Sequence, residues 1–298
     1  MRRVPEVRSL AFAGAVLFLA AGAVAQPAAG GPGGRRQRPG GPGGAPADRP
    51  GKPLLELAQQ VTVAAAIDSL PKQLKAFYKA HRAEIPSQGL EPEFPPRSPE
   101  RRFLVDRLLP FPFTELPRSE AALKAKFGEK TEGMGRLPWL LQESYARLVE
   151  AMKAGDKQKI LAESDLLASL VVDLHTALNL TENFDGQKTG QHGLYARLVE
   201  KLPHAMGGIK VSPDAARYLD DPKEYVFSML VATYVWLDNT LYLEELARRG
   251  KPGYGEIYFE DLARRVGPIL RERLSRAAED AGSYWYTAWT VAGRPELK

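Results

Sequence analysis

Acidic and hydroxyl side chains are spaced along one face of an otherwise apolar segment, residues 165–174. Asp165, Ser169 and Asp173 are four apart, so they stack on a single face if the segment is helical. The remaining positions are apolar on every side, which predicts a buried helix. A buried carboxylate is costly unless it is paired. For Asp173 in this row of three residues, the polar seam, we therefore predict pairing with Arg or Lys or with backbone N–H groups, and a residual polar pocket is the alternative.

A polar loop with several glycines, TENFDGQKTGQHG, follows at residues 181–193 and leads into a second helix. Glu182, Asn183 and Asp185 carry oxygens that suit Ca²⁺. Asn and Asp also satisfy their own backbone in turns, here around Gly186. Turn chemistry is the preferred interpretation, and a calcium site is the alternative.

His175 lies two residues after Asp173. Side chains two apart on a helix point in different directions, so one metal ion shared by this pair is not expected. A hydrogen-bonded histidine at the helix end is predicted instead. Asp238 also interrupts an apolar helix face, and it too is predicted to pair with Arg or Lys or to accept backbone hydrogen bonds.

Aromatic residues cluster near the C-terminus, at Tyr284, Trp285, Tyr286 and Trp289. Their spacing favours packing between helices, with a stacking surface for bases or sugars as the alternative. Several catalytic motifs are absent: a Gly-x-Ser-x-Gly elbow, a phosphate-binding glycine loop before Lys, His-Glu-x-x-His, and any cysteine nucleophile.

Residues 166–203 resemble the zinc-dependent phospholipase C family, which shares an all-helical fold with the zinc nucleases that cut single strands. In that family the seam helix carries His-x-x-x-Asp and then Pro-Leu-His, and the helix after the loop opens with His-x-x-x-Glu. On this chain those ligand positions hold, in order, Ser169, Asp173, Asn179, Tyr195 and Val199. Asp173 is the one retained family ligand.

The resemblance extends from about residue 54 to the C-terminus, through LPKQLKAFY at 70–78, FTELPRS at 113–119 and GSYWYTAW at 282–289. The other family ligand positions hold Leu54, Gln59, Leu104 (ahead of Asp106) and Leu140. The family's N-terminal amino group also reaches the metals, whereas a long Gly-Pro segment separates Gln26 from the first helix here. The resemblance therefore implies the scaffold of a zinc site without its ligands, and neither metal nor another cofactor is expected.

The intact family uses zinc-bound hydroxide to hydrolyse phosphodiesters. We therefore predict a secreted pseudoenzyme of the phospholipase C and nuclease superfamily, acting as a binding or structural module for a phosphate-containing or envelope ligand. The first alternative is a phosphoric ester hydrolase with a rebuilt one-metal or metal-free site. Its candidate residues are Asp173, Ser169, Asn179, Tyr195, His175 and Asp106. The second alternative is an envelope-associated scaffold tethered by its basic tail.

Residues 1–25 have the pattern of a signal peptide: three arginines precede an apolar run, and Ala23-Val24-Ala25 forms a small-residue cleavage site. Export to the periplasm or the extracellular space is predicted, with cleavage after Ala25. The apolar run is short for a bilayer span, so no transmembrane helix is expected in the mature protein. The chain has no cysteine, which excludes disulfides and thiolate metal sites.

Residues 26–53 are mostly Gly, Pro, Ala and Arg, and are predicted to form a disordered, exposed linker. The formal net charge is +5, of which the signal peptide carries +2 and the linker +4, so residues 54–298 are near −1. The basic character thus lies outside the folded part, and nucleic-acid binding by that part is not indicated.

Residues 54–298 lack the alternating pattern of strands and predict a single all-α domain. The resemblance implies that this domain is of the phospholipase C and nuclease type. Proline-rich residues 86–117 predict a long loop. Helices are predicted at 54–69, 71–83, 137–154 (closed by Gly155), 156–174 (capped by Asp156), 221–250 (capped by Asp221 before Pro222 and Glu224) and 256–291 (bent near Pro268).

Overall fold

The structure is a computed structural model that describes residues 54–85 and 98–298. The chain divides into two units, residues 1–48 and 49–298, and every described residue belongs to the second. The signal peptide and linker predicted for residues 1–53 lie outside the described residues, as does the stretch 86–97 of the proline-rich loop.

The regular elements of the described part of the chain are all helices, and it contains no strand, which confirms the all-α prediction. Its α-helices are α1 (Leu54–Ser69), α2 (Lys72–Ala80), α3 (Glu120–Phe127), α4 (Leu137–Ala154), α5 (Lys157–Leu174), α6 (Leu202–Ala205), α7 (Pro222–Tyr234), α8 (Leu237–Arg248) and α9 (Glu256–Val291). Short 3-10 helices lie at Arg82–Glu84, Pro99–Arg101, Val105–Arg107, Gly128–Thr131 and Ala177–Leu180, and a π-helical turn at Ala196–Lys201 precedes α6. Residues 98–117 are the described part of the predicted loop, and they contain only two of these short 3-10 helices and no α-helix.

Helix boundaries follow local signals in the sequence. Gly155 adopts φ +65° and ends α4, while the Asp156 side chain accepts the backbone N–H of Lys159 at 3.2 Å and caps α5. Asp221 caps α7 by accepting the backbone N–H of Glu224 at 3.0 Å. All three predicted boundaries are confirmed.

The predicted helix over 221–250 is wrong as a single element, because α7 ends at Tyr234 and α8 begins at Leu237. Between them the chain tightens, and the backbone N–H of Trp236 bonds to the carbonyl of Thr233, three residues back, at 3.1 Å. Neither Gly nor Pro marks this break, so the sequence pattern carried no signal for it. By contrast, α9 continues through Pro268 as one helix.

By length and composition, Pro222–Arg248 is long and apolar enough to cross a membrane, and it is the one such stretch among the described residues. Its most apolar window has a mean hydropathy of 1.2 and is 39% buried. Its first half packs on α4 and its second half on α9. Burial between helices thus accounts for part of its apolar character.

The core forms where α9 packs against α1, α4, α5 and α8, with α4 and α5 paired beside it. Trp285 at its centre is fully buried, stacks on Tyr78 with ring centroids 4.7 Å apart, and donates its indole N–H to the carbonyl of Ser164 at 3.1 Å. Tyr284 and Trp289 are buried as well. The predicted core role of the aromatic cluster is therefore confirmed for these three residues.

Candidate functional site

The polar seam of α5 holds a buried ion pair. Nε of Arg101 donates to Oδ2 of Asp173 at 2.6 Å, and Nη2 of Arg101 donates to the Ser169 hydroxyl. The two charged side chains are 3% and 7% exposed. Asp165, the third residue of the seam, accepts a 3.0 Å hydrogen bond from the side-chain amide of Gln59. The predicted pairing of Asp173 with Arg or Lys is confirmed.

Two opposing effects act on the pKa of Asp173 in this ion pair. Burial raises the pKa of the Asp173 carboxyl, and the positive charge of Arg101 opposes that rise. Nη1 of Arg101 is buried without a hydrogen-bond partner among the described residues. The burial of this unbonded donor costs free energy and so reduces the net stabilisation by the ion pair. Removing either side chain would leave an uncompensated buried charge.

Arg101 reaches the seam because its segment is held close to α4 and α5. It ends the Pro99–Arg101 3-10 helix, and two residues later the backbone N–H of Phe103 donates to the carbonyl of Asn179 at 2.8 Å. On the other side Gly135 has φ +82°, and a Cβ there would lie 2.2 Å from the carbonyl oxygen of Arg102. Glycine at this position permits the close approach of the two backbones.

The family ligand positions supply no set of donors around Asp173. Leu104 and Leu140 are buried apolar side chains. The Tyr195 ring centroid lies 5.5 Å from the guanidinium carbon of Arg102. With a guanidinium already on the one carboxylate, these residues do not fit a zinc cluster. Across residues 54–85 and 98–298, no group of three or more His, Asp or Glu side chains is placed to hold a metal ion.

Asn179 and Asp106 stabilise the backbone rather than face a shared pocket. The Asn179 side-chain amide donates to the backbone carbonyl of Asp173 at 3.0 Å, at the end of α5. Asp106 accepts from the Thr181 hydroxyl at 2.5 Å and from the backbone N–H of Glu182 at 2.9 Å. The carboxylate therefore fixes the start of the polar loop, and its hydrogen bonds involve different partners from those of Asp173.

The polar loop, residues 181–193, uses its own carboxylate and amide oxygens. Asp185 accepts from the backbone N–H groups of Gly193 and Tyr195, each at 3.0 Å. The side-chain oxygen of Asn183 accepts the backbone N–H of Lys188 at 2.7 Å. These bonds are the turn chemistry predicted from the sequence, and they use the oxygens on which the calcium alternative depends.

A second buried polar cluster lies where α5 ends. Nε2 of His175 is 2.9 Å from Oδ2 of Asp280, and Nη2 of Arg273 contacts Nδ1 of His175. The Tyr225 hydroxyl donates to the other Asp280 oxygen at 2.7 Å, and Nη2 of Arg273 donates to the Thr233 hydroxyl at 3.0 Å. These five residues are named the His175 cluster. The predicted hydrogen-bonded histidine at the helix end is confirmed.

The hydrogen bonds of the cluster fix the protonation of His175. A guanidinium only donates, so Nδ1 accepts from Arg273 and the proton is on Nε2, which donates to Asp280. Burial lowers the pKa of His175; the Asp280 hydrogen bond opposes this, and the charge of Arg273 adds to it. Both ring nitrogens of this neutral imidazole are engaged, so neither is free to take a proton or bind a metal.

The prediction for Asp238 is wrong. Asp238 is exposed on α8 and does not lie on a buried face. The prediction assumed one continuous helix, but the helix is interrupted at residues 235–236. Positions after the interruption therefore do not lie on the same face as the sequence spacing implied, and the direction of the Asp238 side chain was predicted wrongly.

Three charged residues of these clusters were missed in the sequence: Arg101 and Asp280, which are buried, and Arg273, which is partly buried. Nothing in the sequence distinguishes Arg101 from the other charged residues of SPERRF, which are typical of an exposed segment. Its partner, Asp173, lies on another helix, so no local pattern indicates the pair. Arg273 lies in the charged stretch RERLSR, which reads as a solvated helix face. Asp280 did carry a signal, since it follows Ala277 and Ala278 and precedes apolar and aromatic residues in AAEDAGSYW.

The structure thus defines an all-α protein whose helices enclose buried, charge-containing clusters, among them the Arg101–Asp173 pair and the His175 cluster. No protein-family model matches the chain, and no curated protein matches it. The relation to the zinc-dependent phospholipase C family therefore rests on the residues of the chain alone.

Proposed function

We propose that the protein is an exported, non-catalytic member of the phospholipase C and zinc nuclease superfamily that serves as a binding or structural module. The observation that carries this proposal is the guanidinium of Arg101 on Asp173 and Ser169. The resemblance places both of these residues at metal-ligand positions. A guanidinium supplies the positive charge that Asp173 needs, but it cannot lower the pKa of a bound water as a zinc ion does.

The hydrogen bonding of the other candidate residues supports the same conclusion. A general base needs a free lone pair within reach of the proton that it removes. Asp173 is ion-paired, His175 has both nitrogens engaged, and Asp106 accepts from two loop groups. A rebuilt hydrolytic site would first have to break one of these sets of hydrogen bonds, so the non-catalytic function is favoured over the phosphoesterase alternative.

Metal content and phosphodiesterase activity of the mature protein test this proposal together. We expect zinc far below one ion per chain after dialysis, and no turnover of bis(p-nitrophenyl) phosphate with or without added Zn²⁺, Mg²⁺ or Ca²⁺. Near-stoichiometric zinc that survives dialysis would overturn the proposal. So would turnover that Asp173→Asn abolishes while the circular dichroism of the variant stays that of a folded helical protein, since the rebuilt hydrolase predicts that result.

A further inference from the structure

An apolar crevice opens between α5, α6, α8 and α9, beside the His175 cluster and away from the Arg101–Asp173 pair. Its volume is about 80 Å³. Most of its lining is aliphatic or aromatic, including Val172, Leu178, Leu198, Leu202, Trp236 and Leu270. Its polar lining residues are Thr176, Thr240 and two members of the cluster, His175 and Arg273. A mostly apolar concavity with a few polar groups at one side is the usual form of a small-molecule site.

Arg273 is unusual because its charge is not matched by an ion pair. Its Nη2 bonds to two neutral acceptors, His175 and Thr233. Nε is buried without a partner, and Nη1 makes no hydrogen bond within the described residues. No carboxylate of the described chain lies at ion-pair distance, although Asp280 acts on the guanidinium from farther away. Burial consequently lowers the pKa of Arg273.

Each of the two buried arginines among the described residues has a carboxylate. Arg101 contacts Asp173 at 2.6 Å, and Arg197 contacts Glu244 at 2.9 Å. Arg273 is partly buried, with Nε enclosed and unbonded, so its guanidinium carries a desolvation cost that an anion at the same place would offset. The crevice beside Arg273 therefore combines an apolar surface with an unmatched positive charge.

A polar cavity of about 280 Å³ lies on the other side of the same cluster and shares His175 and Arg273 with the crevice. Two more arginines line this cavity, Arg276 and Arg217. Arg276 forms an ion pair with Glu279 at 2.7 Å. Arg217 lies 4.0 Å from Glu279. The carboxylates of Glu279 and Asp280 line this cavity and disfavour an anion there. An anion that pairs with Arg273 is therefore expected in the apolar crevice.

We infer that the crevice binds a small organic monoanion: a carboxylate whose charged group accepts from Nη1 of Arg273 and whose apolar body lies among the leucines. One free guanidinium nitrogen suits a single carboxylate better than a phosphate dianion. An apolar cavity of about 150 Å³ holds the six carbons of benzene, so a crevice of about half that volume suits a body of about three carbons. This site is separate from the polar seam, and its failure would leave the non-catalytic proposal standing.

Titration of the full mature chain with sodium butyrate, followed by calorimetry or NMR shifts, tests this inference. Butan-1-ol has a similar apolar body without charge, and inorganic phosphate has charge without the body. We expect saturable binding of butyrate, with the alcohol and phosphate at least about tenfold weaker, which corresponds to one charge-assisted hydrogen bond. No binding of butyrate, or equal binding of either control compound, would overturn the inference.

Variants locate the site. Arg273→Met should weaken butyrate binding at least about tenfold, whereas Arg273→Lys, which keeps a cation, should retain most of it. Leu270→Trp should block the crevice and abolish binding. Arg276→Met, in the polar cavity, is the matched control and should change the affinity less than about twofold. Binding that survives both Arg273→Met and Leu270→Trp in folded protein would place the ligand elsewhere and refute the site.

Discussion

Nε of Arg101 lies 2.6 Å from Oδ2 of Asp173 inside the helical core, although the two residues are 72 positions apart in the chain. The first sits on a short 3-10 helix after the proline-rich loop, and the second sits in the last turn of α5. Because neither charge is exposed, each is tolerated only in the presence of the other. The pair therefore makes the stability of the core sensitive to both side chains.

Replacing one member of this pair is expected to destabilise the protein strongly. Arg101→Met leaves a buried carboxylate without its cation, and the free energy of unfolding should fall by about 3–5 kcal/mol. Urea unfolding followed by circular dichroism measures the loss. Arg118→Met is the matched control, since Arg118 pairs with Glu224 at 2.7 Å with both side chains 47% exposed, and it should cost about 1 kcal/mol or less.

The double variant Arg101→Met/Asp173→Leu tests whether the two charges act as a unit. Removing both leaves no uncompensated charge, so the double variant should be more stable than the sum of the single variants implies, by about 1–3 kcal/mol. The complete double-mutant cycle, measured in urea, gives this coupling. Strictly additive losses would show that Arg101 and Asp173 do not depend on each other.

Protonation of His175 is expected to make the stability depend on pH. Burial lowers the folded-state pKa of His175 below the ordinary value of 6.5. As the pH falls through about 6.5 the unfolded chain takes up a proton that the folded chain does not, so the free energy of unfolding should decrease until the folded-state pKa is reached. Above that range the contribution of His175 is fully present. Urea midpoints between about pH 5 and pH 8 record the slope.

Variants assign that slope to one histidine. His175→Gln cannot take up the proton, so its stability, lower overall because Asp280 and Arg273 lose a partner, should vary less with pH than that of the natural chain. His204→Gln, at an exposed histidine, should keep the full slope. An unchanged slope in His175→Gln would assign the pH dependence to another group.

The close approach of backbones at Gly135 gives a fourth prediction. Gly135→Ala would bring a Cβ to 2.2 Å from the Arg102 carbonyl oxygen, on the segment that carries Arg101. The nearest atoms to this Cβ all belong to the backbone and cannot move aside as a flexible side chain can. We therefore expect the free energy of unfolding to fall by about 3 kcal/mol or more.

Gly133→Ala separates this clash from backbone strain alone. Gly133 also has a positive φ, +65°, but nothing lies within 4 Å of its would-be Cβ. Its cost should be about 1–2 kcal/mol, the strain of a left-handed conformation. Thermal unfolding measures both variants, at about 2–4 °C of Tm per kcal/mol for a domain of this size. Equal Tm losses for the two glycines would contradict the predicted clash.

The cap of α7 gives a prediction with a local readout. One oxygen of Asp221 accepts the backbone N–H groups of Lys223 and Glu224, at 3.1 and 3.0 Å. Asp221→Ala should therefore cost about 1 kcal/mol and speed amide hydrogen exchange at those two residues, while Asp221→Asn, which keeps an acceptor, should preserve most of their protection. Exchange as slow in Asp221→Ala as in the natural chain would show that the cap is not needed.

Local physics made much of the fold predictable from the sequence. Gly155, Asp156 and Asp221 set helix ends through interactions with residues at most five positions away, so a short window of sequence contained both partners. The apolar surroundings of the polar seam likewise predicted that α5 is buried and that Asp173 needs a cation. The break between α7 and α8 escaped prediction, because no Gly or Pro marks it and the tertiary packing on α4 and α9 differs on its two sides.

The sequence by itself determined that the chain is helical, where most helices begin and end, and that a carboxylate in α5 must be paired. The tertiary structure alone decided which cation serves Asp173 and which groups engage His175, since these partners lie 72 and 105 positions away along the chain. It also decided that Arg273 lines an apolar crevice and that no carboxylate of the described residues lies within ion-pair distance of its guanidinium. The physical reason is that a buried charge requires a partner but does not specify its position in the sequence, and only the packing of helices brings one side chain of the right sign within hydrogen-bond distance.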